Sequence, residues 1–478
     1  MTAKDRREDT PVLVVDLDGT LIRSDTLYES FWAALSEDWR TLPAALLSLR
    51  RGRAALKREL ARRAPIEVAH LPYNQAVLDH IRDWRAAGGR AVLVTAADQQ
   101  LAERIAAHLG LFDEVHGSDG RTNLKGPRKA AMLAERFGEG GYAYIGDSAA
   151  DLPVWAGAKR AVTITGSAAL RRRVDGLGTP VEHLQSVPAR AWLAAMRPHQ
   201  WLKNILVFIP AIAAHASDPL VLAQAVLAFV AFSLVSSSGY VFNDLMDLAA
   251  DRAHPRKSHR PLASGRLEIS HGTAMVPLLL AAGLIVAAFG GGALLAVIAT
   301  YFVLTTVYSL VLKQKAVADI CTLAGLYTLR IIAGGLATGL VPSVWLLAFS
   351  MFFFVSLAAI KRQAELVDLV SRGVAGAKRR GYTTQDLPLV GQVATASGYV
   401  SVLVLALYVN SSSVRTLYEN PWPLWGICLI VLYWITRIAL ITNRGHMNDD
   451  PIVFAVHDRT SLVCAALMAG FVLMAGAL

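Results

Sequence analysis

The sequence predicts two domains of different class. The first is an α/β domain with a doubly wound parallel sheet and a small helical cap; the second is an all-α transmembrane bundle of about nine helices. Charge is the first observation: residues 1–190 hold 27 Lys/Arg and 24 Asp/Glu, whereas residues 191–478 hold only 20 and 13. The second is that strand-length apolar runs alternate with helical periodicity in the first part, the pattern of a parallel sheet. The third is a series of apolar segments in the second part, most approaching the ~20 residues that cross a bilayer. With 54% hydrophobic and 18% charged residues over 478 positions, the chain is too apolar for disorder or for an ordinary soluble enzyme. The expected domains are 1–185, with its cap at about 24–75, and 186–478, joined by a Pro-bearing linker at about 178–192.

In the first part, PVLVVDLDGTLI (11–22) reads as a buried strand ending in two carboxylates and a Gly-Thr turn. AVLVTAAD (91–98) is a second strand and YAYIGDSAAD (142–151) a third, separated by helical stretches closed by glycine. In such sheets ligands bind beyond the carboxyl ends of the strands, where Asp16, Asp18, Thr95 and Asp147 fall. A carboxylate at Asp16 can attack phosphorus, and Asp18, two residues on, can protonate the leaving oxygen. Lys125 can neutralise a transferring phosphoryl group, and Asp147 and Asp151 offer hard oxygen ligands for Mg²⁺.

DLDGT, the strand-end Thr95, Lys125 and GDSAAD stand in the order and spacing of the haloacid-dehalogenase-like phosphatases, which residues 10–185 resemble. The resemblance implies Asp16 as nucleophile, Asp18 as acid/base and Thr95 and Lys125 as phosphate binders. It also implies Asp147 as metal ligand, with Asp16, Asp18 and Asp151 completing the carboxylate set. The insert at 24–75 reads as the cap, and its basic run from Arg50 to Arg63 suits anionic substrate or lipid headgroups.

Nine apolar segments follow, near 201–216, 220–242, 272–290, 292–312, 317–339, 342–360, 389–409, 422–441 and 460–478. With the N-terminus inside, the inner loops carry fifteen Lys/Arg, Lys378, Arg379 and Arg380 among them, and the outer loops only Arg415. That asymmetry is the positive-inside pattern and places the first domain in the cytoplasm of a bacterial cell, at the inner membrane. The polar N-terminus, MTAKDRREDT, has no signal-peptide pattern, and Cys321, Cys428 and Cys464 offer no disulfide or zinc framework. The excess of basic residues suits these loops or anionic substrates rather than nucleic acid.

The segment NDLMDLAADRAHPRKSHRPLASG (243–265) carries the chemistry of the second part. Asp244, Asp247 and Asp251, at i, i+3 and i+7, fall on one face of a helix, and carboxylates at a membrane boundary are costly without a cation. Arg252, Arg256, Lys257 and Arg260 follow, as a phosphate site requires. This segment resembles the NDxxDxxxD motif of the UbiA-type intramembrane prenyltransferases, a resemblance covering residues 190–478. It implies that Asn243, Asp244, Asp247 and Asp251 bind Mg²⁺-diphosphate.

The usual second aspartate-rich loop is replaced by AIKRQAELVDLVSRGVAGAKRRGYT (359–383), where Glu365 and Asp368 are outnumbered by cations. That loop, with RPHQWLKN (197–204), YTLRIIAGG (327–335) and DDPIVFAVHD (449–458), looks like the polyprenyl-phosphate phosphoribosyltransferases of cell-wall arabinan synthesis. These transfer 5-phosphoribose from phosphoribosyl pyrophosphate to a polyprenyl phosphate. Lys203, Lys361 and Arg362 are then candidates for the sugar or lipid phosphate. Arg330, inside a span, lines a cavity on this reading, about 16 Å along the helix from Asp319 and unpaired with it. A phosphatase domain fused to such a transferase suggests removal of the product's 5-phosphate. The competing reading is prenyl transfer from a prenyl diphosphate to an aromatic or quinone-like acceptor, with the first domain acting on an unrelated phosphate ester.

Overall fold

The computed structural model describes residues 12–50, 52–63, 66–118, 124–184, 191–374, 381–447 and 450–476. The chain forms two compact units. One comprises residues up to Met196 together with Tyr240–Val276; the other comprises Arg197–Gly239 and the chain from Pro277 onward.

In the first unit six parallel strands form one sheet in the order β3-β2-β1-β4-β5-β6. They are β1 (Val12–Val15), β2 (Arg90–Asp98), β3 (Glu114–Ser118), β4 (Tyr142–Gly146), β5 (Arg160–Thr163) and β6 (Val181–His183). Strand alternation sends Leu13, Leu93 and Ile145 to one face, with Ile81 and Ile105 of the helices Gln75–Ala86 and Gln99–Leu109. Val14, Val92 and Tyr144 pack on the other face with Leu133 and Trp155. Both faces are covered, which explains why the strands are continuous apolar runs rather than alternating ones. Helix Gln99–Leu109 starts on the Asp98 side chain, which accepts from Gln100 N and Leu101 N, and stops at Gly110 in the left-handed region (φ +63°).

Strand order reverses at β1, which pairs with β2 on one side and β4 on the other. The crevice beyond that pair is where an open sheet binds ligands. Between β1 and helix Gln75–Ala86 come helices Thr26–Glu37, Thr41–Leu49 and Arg53–Arg63 and a short turn at Val68–His70. Ala34, Ala45 and Leu60 give these three helices a small core of their own. The expected linker is partly structured: β6 lies within 178–192 and extends the sheet, while 185–190 falls outside the described residues.

In the second part of the chain the expectation of nine spans is corrected. Among the described residues, seven helices are long and apolar enough to cross a membrane, eight if Pro451–His457 and Arg459–Ala475, bent by 84°, form one span. The segment 201–216 is not among them. It forms a 3₁₀ stretch, Pro198–Phe208, followed by the five-residue helix Ile209–Ala213. Pro198 starts the first piece and Pro210 stands in the first turn of the second, where a missing N–H is tolerated; Pro210 interrupts a continuous α-helix through the segment. The core of the second unit is built on Ile320, Tyr327, Ile331, Phe354 and Leu357.

Candidate functional site

The ends of β1 and β4 bring three acidic side chains and one lysine together. Asp16 follows β1, its N–H donating to Ile145 O at 3.1 Å. Asp147 follows β4 and accepts from Thr20 Oγ1 at 3.2 Å. The Thr20 turn depends on Gly19 (φ +76°), where a Cβ would lie 2.2 Å from Asp147 Oδ2. Asp151 closes a capping box with Ser148, accepting from its N–H and hydroxyl at 3.1 and 3.0 Å, and accepts from Tyr144 OH at 2.8 Å. Asp16, Asp147 and Asp151 each offer an oxygen within 4.8 Å of the others, the only such acidic trio among the described residues.

Lys129, on helix Pro127–Phe137, donates to Asp16 Oδ1 at 2.7 Å and to Tyr144 OH at 2.9 Å, and lies 3.8 Å from Asp151 Oδ1. Burial, with only partial relief from Lys129, pushes the Asp16 carboxyl above its usual value. Burial and the neighbouring Asp16 and Asp151 push Asp147 up further. One lysine does not balance these acids, and three hard oxygens at this separation fit a divalent cation such as Mg²⁺.

Two expectations are corrected here. Lys125 is exposed, and Lys129, one helical turn on, is the lysine at Asp16. Helix Pro127–Phe137 places its third residue over the crevice, whereas Lys125 lies before the helix begins. Asp18 stays apart from the acidic trio. Its oxygens accept from Thr26 N at 2.7 Å and Thr26 Oγ1 at 3.3 Å, so the carboxylate caps helix Thr26–Glu37. Burial and the nearby Asp25 push its pKa up to about 7. Thr95 is fully buried at the β2 end, its hydroxyl accepting from Ala97 N at 3.0 Å. Lys57, in the basic run expected to meet anionic substrate or lipid headgroups, reaches with its Nζ from the cap to Ala96 O at 2.6 Å.

Also in the first unit, residues 243–265 form a compact loop. Helix Pro219–Met246 ends before Asp247 (φ −100°, ψ 13°), which starts the short helix Leu248–Ala253. The i→i−4 bonds Asp247 N to Asn243 O and Asp251 N to Asp247 O carry the helical course across this break, and all three carboxylates act on Arg260, although they do not all lie within 4.8 Å of one another. Instead Arg260 Nη1 lies 3.1 Å from Asp244 Oδ1 and 2.6 Å from Asp251 Oδ2. A guanidinium thus occupies the place between two buried acids where a cation would sit, and the donor set suits Mg²⁺. Burial, offset by Arg260, lifts Asp251 to about 6. Asn243 and Asp247 are half-buried, Asn243 O accepting from Asp247 N at 2.9 Å. Arg256 is exposed and Lys257 half-buried, both N–H groups directed at His254 Nδ1.

In the second unit Lys203 and Lys361 meet on one carboxylate that the sequence reading quoted without assigning. Asp450 accepts from the buried Lys203, and Lys361 Nζ lies 3.8 Å away. Burial opposes the Asp450 charge, but Lys203 and Lys361 outweigh it and hold the carboxyl below its usual value. Arg362 differs from the expectation of a phosphate contact. It is buried, 2.6 Å from Asp319 Oδ2 and paired with Glu365, and its guanidinium lies over the Tyr382 ring. Arg330 is likewise engaged in the bundle, donating to Asn204 Oδ1 at 2.8 Å, Tyr301 OH at 2.9 Å and Leu326 O at 2.5 Å. Asp319 accepts from Tyr308 OH at 2.7 Å on the oxygen other than the one that pairs with Arg362. A cavity of about 500 Å³, lined by Phe353, Leu405, Val431, Trp434 and Met468, is almost wholly apolar. Lys378, Arg379, Arg380 and, in the cap, Arg51 lie outside the described residues.

The profile of the UbiA prenyltransferase family matches residues 204–466, and that of the haloacid dehalogenase-like hydrolases matches residues 13–155. The protein y4nM of Sinorhizobium fredii is 40% identical over 468 residues, covering 97% of this chain and 90% of its own length. Nodulation protein NoeC of Azorhizobium caulinodans is 40% identical over 286 residues, 59% of this chain and 92% of its own. Decaprenyl-phosphate phosphoribosyltransferase of Mycolicibacterium smegmatis is 38% identical over 280 residues, 56% of this chain and 86% of its own. The chain belongs to the UbiA prenyltransferase family, as a multi-pass membrane enzyme that also carries a haloacid dehalogenase-like hydrolase domain.

Proposed function

We propose that the chain transfers 5-phosphoribose from phosphoribosyl pyrophosphate to a polyprenyl phosphate at the cytoplasmic face of a bacterial inner membrane. On this reading the phosphatase domain then removes the 5-phosphate of the lipid product. The observation that carries the reading is the 38% identity to a decaprenyl-phosphate phosphoribosyltransferase across 86% of that protein. The basic 359–383 loop in place of a second aspartate-rich one supports it, since the acceptor is already anionic. The positive-inside pattern supports a cytoplasmic site for both reactions.

In the transfer, the bond from ribose C1 to the pyrophosphate oxygen breaks with its electron pair leaving on pyrophosphate. A lipid phosphate oxygen then bonds to C1. Asp244, Asp247 and Asp251 would hold Mg²⁺, which supplies charge neutralisation for the departing diphosphate. Arg260 exchanges its carboxylate partners for diphosphate oxygens, with Asn243, Arg256 and Lys257 beside it. Lys203 and Lys361, oriented by Asp450, hold a phosphate monoester. The anionic acceptor needs no strong general base, and the apolar cavity suits part of the prenyl chain.

In the hydrolysis, an Asp16 oxygen attacks phosphorus while Asp18 gives its proton to the leaving oxygen, and water then cleaves the aspartyl phosphate. Lys129 and Thr95 hold the phosphoryl oxygens. Asp147 and Asp151, with Asp16, would hold Mg²⁺, which offsets charge on the phosphoryl group. The test supplies sugar-labelled phosphoribosyl pyrophosphate with a long polyprenyl phosphate and, separately, a labelled prenyl diphosphate with an aromatic acid. Sugar label in the lipid fraction supports the proposal; label joining prenyl to the aromatic acid overturns it.

A further inference from the structure

Residues 240–276 and the cap segment belong to one compact unit, and a buried ion pair links them. Arg252 donates to both oxygens of Glu29, at 2.9 and 2.6 Å, with the two side chains 7% and 4% exposed. Its Nε donates to Ala263 O at 3.1 Å, across the aspartate loop. Glu29 also accepts from Ser24 Oγ at 2.6 Å. Two further contacts lie beside the pair. Trp32 Nε1 donates to Thr273 Oγ1 at 2.9 Å, and Gly265 (φ +68°) approaches so closely that a Cβ there would lie 2.6 Å from Arg23 Cβ.

Each end of the ion pair adjoins a site. Arg252 follows Asp251 in the chain. Glu29 lies one helical turn after Thr26, whose N–H and hydroxyl hold the Asp18 carboxylate. To protonate a leaving oxygen at Asp16, Asp18 must turn from Thr26, which loosens the first residue of helix Thr26–Glu37 while Asp25 still caps Leu27 N and Tyr28 N. A buried ion pair is a weak source of stability but a strong constraint on geometry.

We infer that Glu29 and Arg252 are positioning residues that couple the two sites, so that a phosphoryl group at Asp16 alters the aspartate loop. The inference rests on the two-reaction reading above and goes beyond it. The coupling requires two states of Asp18: bound to Thr26, as in the structure, or turned to the phosphoryl group.

The experiment uses the full chain and beryllium trifluoride as the phosphoryl mimic, its occupancy followed by loss of p-nitrophenyl phosphatase activity. Hydrogen exchange at residues 244–265 and the KM for phosphoribosyl pyrophosphate are read with and without the mimic. The wild type is expected to change exchange in that loop and to shift KM by about tenfold, the scale on which groups behind a metal ligand act. E29Q and R252K lose both responses while still hydrolysing p-nitrophenyl phosphate, and the swap E29R/R252E restores them. If the swap does not fold, the two single variants decide. Exchange that does not respond in the wild type, or responds equally in E29Q, overturns the coupling. The exchange measurement needs no transfer substrate, so it decides even if phosphoribosyl pyrophosphate is not the donor.

Discussion

The Lys129 ammonium lies 2.7 Å from the Asp16 carboxylate and is almost wholly buried, while Lys125, one helical turn earlier, is exposed. K129M is therefore expected to lower hydrolysis of p-nitrophenyl phosphate by about a hundredfold, the usual loss when one charge-stabilising donor is removed. K125A should stay within about twofold on the same scale. Initial rates of the two purified variants check this, and equal losses would remove Lys129 from its assigned role.

Arg260 competes with any cation for Asp244 and Asp251, yet it is also assigned to the diphosphate. R260A should thus tighten Mg²⁺ dependence while raising the KM for the diphosphate donor by about tenfold, the worth of one charge-assisted hydrogen bond. Titrating transfer rate against Mg²⁺ and against donor separates the two effects. A parallel loss in both would contradict the competition.

D450N leaves Lys203 buried without its counter-charge and is expected to cost about 3 kcal/mol, read as a lower Tm. The pH dependence follows from Asp450 being held below its usual value by Lys203 and Lys361. A depressed carboxyl stabilises the fold above its unfolded value of about 4 and loses that contribution as pH falls through the folded value. The wild-type Tm should fall in acid more steeply than that of D450N.

R330M strands Asn204 Oδ1 inside the bundle, removes one bond to Tyr301 OH and takes away a cation 4.9 Å from the Tyr301 ring centre. The expected result is a loss of about 2 kcal/mol of stability with kcat of the folded fraction unchanged. A fall in kcat with Tm preserved would return Arg330 to the substrate.

The acids at the sheet are legible in the sequence because Asp16, Asp147 and Asp151 stand at or just beyond apolar strands, and strand ends locate the crevice. Lys129 is not, because its place depends on where helix Pro127–Phe137 begins; the Gly-Pro pair at 126–127 is the signal that marks the start. In the aspartate loop, i, i+3, i+7 spacing groups the three carboxylates, but it does not show that the Arg260 guanidinium lies between Asp244 and Asp251. The segment 201–216 has the apolarity of a span but not the conformation, since it is a 3₁₀ stretch and a five-residue helix with Pro210 at their junction. Arg330 and Arg362 illustrate a further limit. A sequence shows that a cation lies in an apolar segment, but not that Tyr301 and Asn204, or Asp319 and Glu365, already satisfy it.

The account turns on one chain performing transfer and then dephosphorylation, and mass spectrometry of the lipid products tests that most directly. Wild-type protein with Mg²⁺, phosphoribosyl pyrophosphate and a long polyprenyl phosphate should yield a ribosyl lipid lacking the 5-phosphate. The D16N variant should stop at the phosphorylated adduct. The same product mixture from both proteins, or no ribosyl adduct from either, would contradict it.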